Sequence, residues 1–161
     1  TLSLHDALPI SIVASLFLIA SCASPSAPPH VHSERVDFYQ IETAKPYDEV
    51  LAELEIAIGE HNFRITGHSR VGKVIRERGA ENFPDYDTVQ FCNLTLAKTV
   101  LEITPHAIQY MPCNVVNYQL NGKTIIRTHL LPEHSDNAAL NQFASEMNQQ
   151  LKQIVDFAAE P

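Results

Sequence analysis

Two cysteines, Cys92 and Cys113, lie in the stretch FCNLTLAKTVLEITPHAIQYMPCNV at 91–115, with His106 and Met111 between them. Thiol, thioether and imidazole together are a soft donor set, suited to a soft metal ion such as copper or zinc. The same pair could instead close a disulfide, since an even number of cysteines in an oxidising compartment usually pairs. Cys113 could equally be a buried core residue, because unpaired cysteine is among the most buried residue types. Cys92 has a chemistry of its own. It immediately precedes a helix start capped by Asn93, where the helix dipole favours a thiolate. Cys92, Asn93, His106, Met111 and Cys113 are therefore the candidate ligand or thiol site.

The third cysteine, Cys22, reads differently. Residues 10–20, ISIVASLFLIA, form an apolar run too short to span a bilayer and suited to the core of a signal peptide. The run ends in Ile19-Ala20-Ser21-Cys22, which resembles the bacterial lipobox, so residues 1–21 are expected to be removed and Cys22 lipidated. Residues 1–11 contain no Met, Lys or Arg, the first Lys or Arg being Arg35, and are read as an artefact of the gene model. Residues 22–34 are rich in Pro and small polar residues and are expected to tether lipid to domain. His30 and His32 on that tether have no further ligand nearby, which argues against a metal site there. Ala23 after the lipidated Cys favours the outer membrane if the source is Gram-negative. The expected location is the cell envelope, facing the periplasm.

Other patterns carry less. Residues 67–74, GHSRVGKV, approach the phosphate-binding loop G-x-x-x-x-G-K-[ST], but Val74 stands where the Mg²⁺-holding hydroxyl belongs. Arg64, Arg70, Lys73, Arg76 and Arg78 concentrate basic charge, interleaved with Glu77 and Glu81 as on a solvated surface. The formal charge of −8, from 19 acidic and 11 basic residues, argues against a nucleic-acid partner, which needs a basic face. No G-x-S-x-G elbow or H-E-x-x-H helix is present. No cofactor or catalytic constellation is called for.

The elements that position these residues follow from periodicity. Residues 35–42 alternate as a first strand. Pro46 opens a helix with Val50, Leu51, Leu54, Ala57 and Ile58 on one stripe, ended with help from Gly59. Strands are expected at 63–66 and 86–92, with a short helix or loop at 71–78 between them. Asn93 caps a helix over 94–103 that stops before Pro105. Asn121-Gly122 joins two apolar runs as a type I′ hairpin turn. Ser135 or Asp136 caps a last helix bearing Leu140, Phe143, Met147, Leu151, Ile154 and Ala158. The order β-α-β-β-α-β-β-α specifies one α+β domain over 35–161, with a mainly antiparallel sheet and helices packed on one face. A two-residue turn sets Leu120 against Lys123 and puts Met111, Cys113, Val115, Ile126 and Leu130 on the core side. Val89 and Phe91 form the apolar face of the preceding strand, so Cys92 is expected on the opposite side of the sheet from Cys113. That arrangement disfavours a disulfide.

The segments FCN at 91–93, Thr104-Pro105 and MPCNV at 111–115, with GEHNF at 59–63, resemble the domain of unknown function 302 family over residues 40–132. The resemblance implies a β-α-β(4)-α fold of the TATA-binding-protein-like class and supplies no mechanism. It also implies departures here: Leu94 for a frequent Pro, Thr104 for Asp and Asn114 for Arg. The resulting expectation is a lipid-anchored, non-enzymatic module that binds a small ligand or an envelope protein. The alternative is a thiol-redox or soft-metal protein using Cys113 with Cys92, or with Met111 and His106.

Overall fold

The computed structural model of the chain describes residues 37–160. The signal segment, Cys22, the tether with His30 and His32, and the first residues of the strand expected at 35–42 lie outside them. In chain order the elements are β1 Phe38–Thr43, α1 Tyr47–Glu60, β2 Arg64–Arg70, α2 Val71–Glu77, β3 Tyr86–Cys92 and α3 Leu94–Ile103. A 3-10 helix Pro105–Tyr110, β4 Cys113–Leu120, β5 Lys123–His129 and α4 Ala138–Ala159 complete it.

The hairpin turn fixes the register of the sheet. Asn121 and Gly122 take φ of 53° and 76°, the paired left-handed conformations of a type I′ turn. Leu120 then pairs with Lys123, and Val115 with Thr128. The five strands run in the order β1-β5-β4-β3-β2, every neighbouring pair antiparallel. The fold is therefore α+β with a single antiparallel sheet.

Alternation on this register places Asp87, Val89 and Phe91 of β3 beside Asn117, Val115 and Cys113 of β4. The two long helices cover that face. Val50, Leu54 and Ile58 of α1 and Met147, Leu151, Ile154 and Val155 of α4 pack onto Val89, Phe91, Val115 and Ile126. Each such side chain, fully buried, contributes about 1.5–3 kcal/mol. Phe63 and Phe91 meet edge to face at 5.2 Å within this core.

Three boundaries differ from the sequence reading. Gly59 does not end α1; the helix continues to Glu60, and Asn62 reverses the chain at φ 60°. β2 runs to Arg70 because a bulge between Ile65 and Gly67 keeps Gly67 and His68 in the ladder. A Cβ at Gly67 would lie 2.6 Å from the oxygen of the exposed Gln90 side chain, which would have to swing aside. The last helix starts at Ala138, with Asn137 as its cap.

Candidate functional site

The site is assembled where β3, β4 and α4 meet. β3 ends at Cys92, and Asn93 turns the chain into α3. The Asn93 side-chain oxygen accepts from the backbone N–H of Thr95 at 2.9 Å and of Leu96 at 3.1 Å. Its amide group donates to the Asn62 carbonyl at 3.0 Å. Both ends of this side chain are thus engaged in local structure: Asn93 caps α3 and ties it to the turn after α1. Thr104 ends α3, the 3-10 helix follows, and a cis Met111–Pro112 bond leads into Cys113.

Cys113 opens β4 opposite Phe91. Both Cys92 and Cys113 are free thiols and half-buried. Burial, with a smaller contribution from the neighbouring Cys92, pushes the Cys113 thiol up to about 11. The expectation that the two thiols lie on opposite sides of the sheet did not anticipate that they share a cavity. Both cysteines border one apolar cavity of about 40 Å³, together with Met111 and Met147. Cys92 is the last residue of β3, still paired with Arg64 of β2. His106 is exposed on the 3-10 helix and lines neither this cavity nor the larger one beside it. The expected grouping of His106 with Met111 and Cys113 is therefore not formed.

The larger space is a cleft of about 530 Å³ at the end of the sheet. Its walls include Tyr110, Met111, Cys113 and Leu131, with Gln90, Asn114 and His129 supplying polar groups. Asn148, a residue the sequence reading passed over, holds one wall in place. Its side-chain oxygen accepts from the Leu131 N–H at 2.8 Å, and its amide donates to the Leu131 carbonyl at 2.9 Å and Glu133 Oε1 at 2.7 Å. The signal was present: helical spacing puts Asn148 in the stripe formed by Ala144, Met147, Leu151 and Val155. A polar residue there must find buried partners.

Towards the other end of the core face lies a second polar cluster that sequence reasoning did not find. His68 Nε2 is 3.0 Å from Asp87 Oδ2, and His68 Nδ1 is 3.7 Å from Glu55 Oε1. Tyr47 donates from its hydroxyl to the Asn117 carbonyl at 3.2 Å. Burial, then the charge of Asp87, raises the Tyr47 phenol well above its ordinary value. These residues come from α1, β2, β3 and β4, with no local spacing to announce them. Among the described residues no three His, Cys, Asp or Glu side chains converge as metal ligands.

The phosphate-loop-like segment resolves into ordinary structure. Gly67–Arg70 belongs to β2 and Val71 begins α2, leaving no loop to cradle a phosphate. The basic residues around it are largely exposed, with Arg76 donating to the Phe83 carbonyl at 2.7 Å and paired with Asp85 at 2.5 Å.

The model of the family described as "Domain of unknown function DUF302" matches residues 39–158, and the chain belongs to that family. A solved structure described as an uncharacterized conserved protein DUF302 from Bacillus stearothermophilus is similar, with a TM-score of 0.65 and 22% identity. The match covers 76% of this chain and 98% of that one, and it bears on the fold alone. No curated protein matches.

Proposed function

From membership of a family whose description carries no activity, we propose that this chain is a lipid-anchored envelope protein that binds a small, largely apolar ligand without transforming it. The observation that carries the binding reading is the 530 Å³ cleft, which falls within the range of small-molecule sites and mixes apolar walls with a few polar groups. Gln90, Asn114 and His129 would orient the ligand, while Tyr110, Met111 and Leu131 would cover its apolar body. Against a thiol-redox activity stands the Cys113 thiol, which at about 11 stays protonated at neutral pH and is a poor nucleophile.

The anchoring half rests on the lipobox ending at Cys22. Among the described residues no helix is long and apolar enough to cross a membrane. The test has two readouts on protein expressed in its host. Wild type is expected in the membrane fraction and the Cys22→Ala variant out of it. Native mass spectrometry of detergent-extracted wild type is expected to show a non-covalent small-molecule adduct. Equal partitioning of both proteins would remove the anchor, and bare protein throughout would remove the ligand.

A further inference from the structure

We infer that Cys92, Met111, Cys113 and Met147 form a site for one soft monovalent metal ion of the copper(I) class. The described residues contain four sulfur-bearing side chains in all, and all four border the same small cavity. They arrive from separate places: the end of β3, the linker before β4, the first residue of β4, and the middle of α4. The remaining lining, including Phe63, Leu96 and Val100, is predominantly apolar. No carboxylate or imidazole lines the cavity, so it offers no anionic oxygen to Mg²⁺ or Ca²⁺ and only two donors that suit Zn²⁺. Thiolate and thioether sulfurs together are the ligands that select copper(I).

Size points the same way. A cavity of about 40 Å³ holds an atom or two and no organic molecule. Met147 is 4% exposed, whereas Cys92, Met111 and Cys113 are half-buried, so the site keeps solvent access through them. Charge is also matched. One thiol loses its S–H proton to solvent as a sulfur–copper bond forms, copper keeps its +1 charge, and no electron is transferred. The resulting thiolate–copper(I) unit is neutral, the form that an apolar cavity admits. The site shares Tyr110, Met111, Cys113 and Leu131 with the neighbouring cleft but does not depend on that cleft having a ligand.

The test is an anaerobic titration of the reduced full chain with copper(I), in competition with the chromogenic chelator bicinchoninate. The chain carries Cys22→Ala to remove the one other thiol. One copper(I) per chain is expected, with affinity lowered on the order of tenfold or more in the Met111→Leu/Met147→Leu double variant. Leu conserves volume and is tolerated in such a core. Copper absorption spectroscopy on the same sample is expected to show an all-sulfur shell, and it decides the matter should the double variant fail to fold. No retained copper, which would make the space a packing cavity only, overturns the proposal. A nitrogen or oxygen shell, or undiminished binding in a folded Cys92→Ser/Cys113→Ser variant, also overturns it.

Discussion

Replacing Asn148 by Ala removes the clamp between α4 and the wall of the cleft. Asn148 is 1% exposed, and two of its three hydrogen bonds satisfy the N–H and carbonyl of the same residue, Leu131. A net hydrogen bond contributes about 1 kcal/mol, but a backbone group left buried without a partner costs about 1–3 kcal/mol. Leu131 is only half-buried, so water recovers part of this, and a loss of about 2–4 kcal/mol is expected. For a domain of this size that lowers the melting midpoint by roughly 8–15 °C. The Asp variant sharpens the reasoning. Its carboxylate still accepts from the Leu131 N–H, but its second oxygen faces the Leu131 carbonyl and Glu133. At pH 7 it is expected to melt no higher than the Ala variant. Those repulsions raise its folded-state pKa, so stability returns as pH falls and the new carboxyl takes up a proton. Thermal unfolding followed by circular dichroism between pH 4 and 8 reads both effects. An Ala variant melting within about 2 °C of wild type, or an Asp variant indifferent to pH, would refute the clamp.

Three further outcomes are expected. The Cys113 thiol, raised from an ordinary 9.0 to about 11, titrates later in the folded than in the unfolded protein. Its contribution, about 2 kcal/mol after allowing for partial exposure, is complete below pH 9 and lost as pH rises towards 11. Urea unfolding across that window should lose this dependence in Cys113→Ala. Asn93→Ala should cost about 1–2 kcal/mol by uncapping α3, while Asn93→Asp keeps the cap and loses only the tie to Asn62; equal losses in chemical denaturation would contradict this division. Gly72→Ala would set a Cβ 2.8 Å from the Asp85 Cα and the Tyr86 nitrogen, so a loss of about 1–3 kcal/mol is expected, and an unchanged midpoint would show that α2 shifts freely.

What was legible in the sequence was what local chemistry dictates. Asn121-Gly122 permitted only one turn geometry, and from it the pairing of β4 with β5 and the core side of Val115 and Ile126 followed. Asn93 announced α3 because its side chain acts within three residues of its own backbone. The stripes of α1 and α4 were readable for the same reason. What escaped was whatever depends on where distant elements land. The bulge at Ile65/Gly67 lengthened β2, since a Gly-His-Ser run reads as a turn until the Gln90 side chain lies over Gly67. Alternation assigned Cys92 a side of the sheet but could not show that it borders the same cavity as Cys113. His106 looked like a ligand by sequence proximity, yet the intervening 3-10 helix leaves it exposed. Met147 was legible as a core residue but not as a neighbour of Cys92, because only the packing of α4 brings them to one cavity.

The central claim is that the cleft holds a small ligand. Its most direct test is native mass spectrometry of wild type and Asn114→Trp, both extracted from host membranes. Asn114 lines the cleft from β4, and a large ring there fills the space while leaving the helix-covered core untouched. Wild type should carry a stoichiometric small-molecule adduct that the folded Trp variant lacks. Bare mass in both proteins, or the same adduct in both, would contradict the account.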